Sequence, residues 1–339
     1  MSTILVTGGT GYIGSHTTVE LMESGMDVVI IDNLENSKRE VIDGITEITG
    51  KAPHFEQVDL RNRAATFAVF EKYPDIEAVI HFAAYKAVGE SVEKPLAYYE
   101  NNLFSLVNLL EAMKKFEIAN IVFSSSCTVY GQPEEMPVTE SAPIQEAASP
   151  YGNTKQICEE ILRDEVASGS TTRVIALRYF NPVGAHKSAK IGELPLGVPA
   201  NLVPFITQTA IGLREQLNVF GNDYNTPDGS AIRDYINVVD LARAHVVAIR
   251  RLMENRQLKP LEVFNLGTGT GLSVLEVIKA FESATGEKVN YKIVARREGD
   301  IEKVWADTRF ANEELGWSAK IGIEETLRSA WKWEQAIRK

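Results

Sequence analysis

Ile4-Leu5-Val6-Thr7-Gly8-Gly9-Thr10-Gly11-Tyr12-Ile13-Gly14 opens the chain with a short apolar run rich in β-branched residues. Such a run reads as a buried strand, and the glycines at 8, 11 and 14 precede a helical pattern from Tyr12 onward. A strand that feeds a glycine-rich turn into a helix presents free backbone N–H groups and the positive end of a helix dipole to an anion. Gly8 and Gly11 let the backbone turn tightly and approach a pyrophosphate, and Gly14 lets the helix pack close to the strand. A glycine repeat alone is weak evidence, because any tight turn uses glycine. Here a second apolar run, Val28-Val29-Ile30-Ile31, ends in Asp32 and completes the context of a dinucleotide site.

Asp32 stands where a carboxylate accepts hydrogen bonds from the adenine ribose and repels the 2′-phosphate of NADP, so NAD is favoured. Lys38 and Arg39 lie close by and argue the other way, with less weight. His54–Val58 reads as a third strand running into Asp59 and Leu60, a pair placed either at the adenine edge or at a helix N-cap. Ile76–Phe82 is a fourth strand, followed by the small residues Ala83 and Ala84, past which a cofactor fits. Leu96–Phe116 carries apolar residues at helical spacing, Asn120–Phe123 is a fifth strand ending in Ser124-Ser125-Ser126, and Arg173–Tyr179 is another strand. Strands alternating with helices predict an α/β fold with a doubly wound, mostly parallel Rossmann sheet, whose ligands bind at the carboxyl ends of the strands.

Beyond Asn181 the rhythm changes to proline, glycine and loop signals, with a helix predicted from Leu202 to Leu213. A strand at Ala231–Asn237 and a helix from Val239 to about Met253 look like a return to the first domain. The division predicted is therefore a cofactor domain over residues 1–180, with a return segment near 231–262, and a smaller α/β substrate domain over 181–339. The run Asn265-Leu266-Gly267-Thr268-Gly269-Thr270-Gly271 has neither a second βαβ unit nor a terminal acid, and reads as a turn.

Composition bounds the partners. A net charge of −11 argues against nucleic acid, which needs a basic surface, but leaves room for a local basic pocket. Two cysteines cannot make a disulfide framework or a four-ligand zinc site, and five scattered histidines lack ligand spacing, so no metal is expected. The first strand begins near Thr3 and no apolar run is long enough to span a bilayer, so the reading expects a cytoplasmic protein with no signal peptide and no membrane partner.

Tyr151 and Lys155 stand four apart on a helical pattern starting near Pro150, which places both on one face. A phenol with a pKa of about 10 is a poor base near neutrality. A nearby ammonium and an oxidised nicotinamide favour its phenolate, and the pair becomes a general base for an alcohol proton. Ser126, at the tip of the fifth strand, is placed to hydrogen-bond the same hydroxyl. Any Tyr-xxx-Lys on an amphipathic helix can be a mere surface pair; its place after a dinucleotide turn and a serine-tipped strand argues for catalysis.

These motifs resemble the extended short-chain dehydrogenase/reductase family. Longer stretches resemble its UDP-sugar 4-epimerases: Val6–His16, Val79–Pro95, Phe123–Gly131, Leu177–His186, Val219–Asp223, Arg233–Asp240 and Arg296–Asp300. The run Arg178-Tyr179-Phe180-Asn181-Pro182-Val183-Gly184-Ala185 is far more specific than the glycine motif. The resemblance implies that Gly8, Gly11, Tyr12, Ile13 and Gly14 contact the NAD pyrophosphate, and that Asp32, Asn33, Asn36 and Ser37 hold the adenosine half. It places Asp59 and Leu60 beside adenine, and Phe82, Ala83, Ala84, Lys86, Asn101 and Ser124 along the path to nicotinamide. Ser126 and Tyr151 become the catalytic hydroxyls, Lys155 bridges to the nicotinamide ribose, and Tyr179 and Phe180 lie beside the ring. Asn181, Asn201, Leu202, Asn218, Phe220, Arg233 and Arg297 are implied to hold UDP, the two arginines forming the local basic pocket.

The implied activity is interconversion of UDP-galactose and UDP-glucose. Tyr151 removes the O4 proton while hydride passes to bound NAD, and the 4-keto sugar turns with its UDP anchored before hydride returns. Val304 falls where the family's glucose-specific members carry a bulky tyrosine, so acceptance of UDP-N-acetylglucosamine or dual specificity is the alternative. Cys127 replaces a small residue, a mild change. A 4,6-dehydratase needs an acidic pair just after Ser126, where Cys127 and Thr128 stand instead. A catalytically silent NAD-binding sensor could dispense with the tyrosine–lysine pair, which is intact. In the family the helices matching Leu96–Phe116 and Tyr151–Ser168 pair across a dimer axis, which implies a homodimer; packing of the first helix on its own sheet explains the same apolar stripe.

Overall fold

The computed structural model describes residues 2–297 and 300–338. Its first half runs β1 (Thr3–Thr7), α1 (Tyr12–Glu23), β2 (Asp27–Asp32), α2 (Val41–Thr49), β3 (His54–Gln57), α3 (Arg63–Lys72), β4 (Ile76–His81), α4 (Val88–Glu93), α5 (Pro95–Lys115), β5 (Asn120–Ser124), α6 (Pro150–Ala167) and β6 (Arg173–Tyr179). The second half runs β7 (Asn181–Val183), α7 (Leu202–Ala210), β8 (Leu217–Phe220), β9 (Ile232–Asn237), α8 (Val238–Met253), β10 (Leu261–Leu266), β11 (Gly271–Ser273), α9 (Val274–Thr285), β12 (Tyr291–Val294), β13 (Lys303–Val304) and α10 (Ile323–Ala336).

Seven strands form one sheet in the order β10-β6-β5-β4-β1-β2-β3. Every neighbouring pair in it is parallel, as the sequence predicts for a doubly wound fold. The central strands β1, β2, β4 and β5 are largely apolar because both faces are covered, and the two-residue period sorts them. Ile4, Val6, Val28, Ile30, Ala78 and Ile80 join the core under α1 and α8, on one face. Leu5, Val29, Ile31, Val79, Ile121 and Phe123 join the core under α3, α5 and α6, on the other. The strand order reverses between β1 and β4, and in an open parallel sheet ligands bind outside the carboxyl ends of the strands at such a point.

A smaller sheet of β11, β9 and β13, with β7 on β9, and a β12–β8 pair build the second half. The predicted return of the chain to the large sheet needs a correction. Helix α8 does return, contributing Leu241, Ala244 and Ile249 to the core shared with β1 and β4. The strand before it does not: β9 pairs with β7, β11 and β13, and the seventh strand of the large sheet is β10, in register with β6 from Leu261↔Val174 to Leu266↔Tyr179. Helix α7 ends at Ala210, short of the predicted Leu213, because Gly212 takes a φ of +83° and Leu213 N–H turns back to the Gln208 carbonyl at 2.9 Å. Among the described residues no helix is long and apolar enough to cross a membrane.

Candidate active site

The glycine turn is built by close approach. Gly8 has a φ of +69°, and a Cβ there would lie 2.8 Å from the Ala83 nitrogen. A Cβ on Gly14 would lie 2.2 Å from the Gly8 carbonyl oxygen, so only glycine lets α1 begin this near the end of β1. Gly11 is the N-cap of α1 with no side-chain cap, and no acid stands in the first turn. That helix start therefore lacks a negative partner of its own, which fits the pyrophosphate of a dinucleotide.

Asp32 ends β2, buried, and accepts from Thr10 N at 3.2 Å, Leu34 N at 2.9 Å and Ser37 Oγ at 3.0 Å. Its carboxylate draws the loop carrying Asn33, Asn36 and Ser37 back onto the glycine turn, where Ser37 Oγ meets Thr10 Oγ1 at 2.7 Å. Arg39 stacks on the Phe55 ring at 5.2 Å, so the cation that argued for NADP has an occupation of its own. Asp59 caps no helix: Asn62 caps α3 by accepting from Ala65 N, while Asp59 pairs with Arg61 across 2.5 Å and Leu60 is buried. The NAD fit rests on the uncapped helix start together with this carboxylate at the ribose position.

Along the nicotinamide path, Phe82 packs its ring 4.6 Å from that of His245, and Ala83 N–H donates to Thr7 Oγ1 at 3.3 Å. Ala84 is half-buried, Asn101 is buried on α5, and Ile13 packs against the core beneath α1. Lys86 is exposed and pairs with Glu193 at 3.6 Å, while Tyr12 OH donates to the Gly184 carbonyl at 2.6 Å. These last contacts link the glycine turn to the second half of the chain.

The catalytic candidates converge at the tips of β5 and β6 and the start of α6. Ser149 caps α6 by accepting from Gly152 N at 3.1 Å, which fixes Tyr151 in the first turn and Lys155 one turn on. Ser126 is extended, and its Oγ accepts from Thr128 N at 3.2 Å to start the 3₁₀ turn Cys127–Tyr130. Ser124 Oγ hydrogen-bonds the Tyr179 hydroxyl, and Phe180 follows, buried, with its N–H on the Leu266 carbonyl at 3.2 Å. Burial drives the Tyr151 phenol well above its ordinary pKa, with Tyr179 and Cys127 adding to the rise, and the Ser126 hydroxyl opposes it. Burial also pushes Lys155 down to about 8 against the pull of Cys158 and Glu159. The expected direct action of Lys155 on the phenol needs refining. Its Nζ donates to the Ser124 carbonyl at 2.6 Å, so the neighbour that eases Tyr151 ionisation in this structure is Ser126.

The nucleotide candidates lie in the second half of the chain. Asn181 starts β7, Asn201 is the N-cap residue of α7 with Leu202 after it, and Asn218 and Phe220 lie on β8. Asn201 Nδ2 donates to Glu193 Oε1 at 2.6 Å, so its side chain does not cap the helix. Arg297 stacks over the Phe220 ring at 4.7 Å, and Arg233 on β9 pairs with Asp300 at 2.5 Å. Val304 faces Arg233 in the β13–β9 register and is buried in an apolar cluster with Phe180, Tyr130 and Cys127.

Sequence reading missed Asp234. Its buried carboxylate accepts from Thr268 N at 2.8 Å, Thr268 Oγ1 at 2.7 Å, Gly269 N at 3.1 Å and Ala306 N at 3.2 Å. The second glycine run is the turn expected of it, and it wraps an anion supplied by the chain itself; a Cβ on Gly267 would lie 2.3 Å from Asp234 Oδ2. The available signal was an acid beside a basic residue on a strand, which looks like an ordinary surface pair.

A parallel sheet with a glycine turn after β1, a serine-tipped β5 and Tyr-xxx-Lys on the next long helix is the layout of a short-chain dehydrogenase/reductase. Residues 5–330 match the family model described as GDP-mannose 4,6 dehydratase. A UDP-glucose 4-epimerase of Bacillus subtilis (strain 168) is 53% identical over 333 residues, covering 98% of this chain and 97% of that protein. The crystal structure of UDP-glucose-4-epimerase from Stenotrophomonas maltophila, with bound NAD and formylated UDP-arabinopyranose, superposes with a TM-score of 0.96 at 48% identity, covering 100% of this chain and 99% of that one. That of the Bifidobacterium longum UDP-glucose 4-epimerase, in complex with NAD+ and UDP, gives a TM-score of 0.94 at 46% identity over 99% and 98%. The chain belongs to the UDP-glucose 4-epimerases of the extended short-chain dehydrogenase/reductase family.

Proposed function

We propose that the protein interconverts UDP-galactose and UDP-glucose by inverting the sugar at C4 through a 4-keto intermediate. The observation that carries this reading is the convergence of Ser126, Tyr151 and Lys155 beside the glycine turn, on the sheet of a chain whose relatives of about 50% identity are epimerases. Bound NAD supplies the hydride acceptor and donor. Tyr151 takes the O4 proton, and Ser126 hydrogen-bonds the same oxygen. Lys155, anchored on the Ser124 carbonyl, holds the cofactor ribose, and once NAD is bound its ammonium adds to the positive charge that favours the Tyr151 phenolate. Asn181, Asn201, Leu202, Asn218, Phe220, Arg233 and Arg297 hold the UDP at many points, which leaves the sugar free to present its other face.

Residues 1–180 with α8 and β10 make the cofactor unit in this proposal, and the rest of 181–339 the UDP-sugar unit. The protein works in the cytoplasm as a homodimer, an assembly supported by the exposed Phe104 and Val107 on α5. The dehydratase alternative within the matched family model is disfavoured by Cys127 and Thr128, which stand where elimination needs acids. One observation favours wider specificity: Val304, beside Phe180, is far smaller than a tyrosine, so UDP-N-acetylgalactosamine is a second substrate. The test is turnover of both UDP-sugars by purified protein without added NAD, with the epimers separated. UDP-glucose formed from UDP-galactose with no net NADH supports the proposal; no turnover of either sugar, with NAD supplied, overturns it and favours a binding role.

A further inference from the structure

Behind the catalytic hydroxyls lies a buried carboxylate that the reaction above does not use. Glu159 sits one turn beyond Lys155 on α6, 5% exposed. Its Oε1 accepts from Ser125 Oγ at 2.6 Å and from Arg178 Nε at 2.9 Å, and its Oε2 accepts from Arg178 Nη2 at 2.5 Å. Ser125 lies between Ser124 and Ser126, and Arg178 immediately precedes Tyr179. The Arg178 guanidinium is itself buried and lies over the Tyr130 ring at 4.8 Å. One carboxylate thus ties together the tip of β5, the end of β6 and the helix that carries Tyr151 and Lys155.

We propose that Glu159 is a positioning residue for the epimerisation. Through Ser125 and Arg178 it sets the catalytic serines and Tyr179 against Tyr151, and its charge keeps Lys155 protonated inside the protein. A buried ion pair is a poor device for stability, since a well-packed apolar pair of similar volume does as well or better. What the pair adds is geometry, because a two-pronged guanidinium–carboxylate contact fixes orientation as well as distance. It also adds a field. The titratable groups around Lys155 are Cys158 and Glu159 on its own helix and His81 on β4, with the Ser124 carbonyl and the Phe123 ring completing the shell. Cys158 and Glu159 both oppose desolvation of the ammonium, and since burial holds the His81 imidazole neutral and pushes the Cys158 thiol up to about 12, Glu159 is the group that is an anion near neutrality. Without it Lys155 loses its proton at a lower pH, and in the holoenzyme the positive charge it brings toward Tyr151 is lost with that proton.

The test uses the holoenzyme and three variants: Glu159→Gln, Ser125→Ala, and the double Glu159→Met/Arg178→Met, which leaves no unpaired buried charge if the single glutamine variant fails to fold. For the double variant the expected result is a melting temperature near the parent's, a KM for UDP-galactose within about threefold, and a kcat lower by about tenfold to a hundredfold. In Glu159→Gln, which removes the anion and keeps the Arg178 cation, the alkaline limb of the kcat–pH profile moves down by about one pH unit, and in the double variant, which removes both charges, it moves less. A readout independent of turnover is tyrosinate absorbance, taken as the difference from Tyr151→Phe in each background; Tyr151 should ionise at higher pH once Glu159 is gone. The Ser125→Ala variant should lower kcat while leaving the pH limb in place, since it removes a tether and no charge. A folded double variant with the parent's kcat, pH limb and Tyr151 titration overturns the proposal. The proposal rests on the epimerase reading, and the two fail separately: absence of turnover by the parent sinks that reading, whereas an active parent with indifferent variants sinks only this one.

Discussion

Gly14→Ala and Gly11→Ala are the same chemical change three residues apart, and the structure gives them different consequences. At Gly14 the added methyl would sit 2.2 Å from the Gly8 carbonyl oxygen and 2.9 Å from the Gly9 Cα, both backbone atoms that cannot swing aside. Carbon and carbonyl oxygen rest at about 3.3 Å or more, so α1 must back away from the turn by about 1 Å. Overpacking of that kind costs about 1–3 kcal/mol, and the better helix propensity of alanine returns only about 1 kcal/mol. Here the backbone clash sets the upper end of the cost, for a net loss of about 2 kcal/mol and a melting temperature about 4 °C lower. The same displacement pulls the first-turn N–H groups off the pyrophosphate, and hydrogen bonds to a charged group are worth about 1.5–3 kcal/mol each. At Gly11 the backbone has φ −70° and ψ 172°, which any residue adopts, and the methyl would meet only the Gly8 oxygen, at 3.1 Å. That methyl is added at the N-cap of α1, the helix end expected to meet the pyrophosphate. Gly11→Ala should therefore lose NAD while the NAD-free protein melts within about 2 °C of the parent, and Gly14→Ala should lose both. The assays are NAD content after purification and melting of the stripped proteins. A Gly14→Ala protein with full NAD and the parent's melting temperature refutes this account of the turn.

Tyr151→Phe should retain NAD and lower epimerisation by about 10² to 10⁴, measured as initial rate; a smaller loss would remove Tyr151 as the base. Asp234→Asn turns an amide toward donors that the carboxylate now satisfies, including Gly269 N and Ala306 N. It should destabilise by about 1–3 kcal/mol and raise KM for the UDP-sugar by loosening β13 beneath Val304; an unchanged denaturation midpoint counts against this. Three buried histidines stay neutral in the fold, burial pushing His16 and His81 down to about 3 and His245 to about 4. Because the unfolded chain binds those protons first, stability is complete above the ordinary histidine pKa and falls as pH drops from there toward 4. Each site contributes about 1 kcal/mol of that loss between pH 6.5 and 5.5, so a urea midpoint equal at pH 7.5 and 5.5 would contradict it. Phe104→Glu, on the exposed side of α5, should give a monomer by gel filtration at micromolar concentration, and a persistent dimer would place the interface elsewhere.

The large sheet was legible because its information is local. Runs such as Ile4-Leu5-Val6 and Val28-Val29-Ile30-Ile31 are apolar on both faces, and only a parallel sheet covered by helices buries both. The start of α6 was legible for a similar reason, since proline at the first helical position and a four-residue spacing are properties of a single turn. What could not be read was pairing across distance. Ile232–Asn237 and Leu261–Leu266 are both short runs with polar residues interleaved, and which of them extends β6 depends on partners far away in sequence. Glu262 shows the difficulty: a carboxylate inside a strand of the main sheet looks wrong until Arg251, on the preceding helix, is seen paired with it at 2.7 Å.

The two glycine runs carry this argument into the site. Both are loops whose backbone N–H groups suit an anion, and nothing in a glycine says where that anion comes from. In the run at 267–271 the N–H groups of Thr268 and Gly269 are already taken by the buried carboxylate of Asp234, so a phosphate would have to displace that carboxylate to use them. At the start of α1 no side chain caps the helix and no acid stands in its first turn. The same geometry is structural in one place and suits a ligand in the other: Asp234 takes two successive N–H groups of the second run, whereas in the first Asp32 takes Thr10 N and no side chain caps the start of α1. Carboxylates act the same way throughout this protein: Asp32 folds a loop onto the cofactor turn, Asp234 closes the second turn, Asp300 aims Arg233, and Glu159 binds the catalytic tips together. Each of those contacts joins residues that only the folded sheet brings within reach.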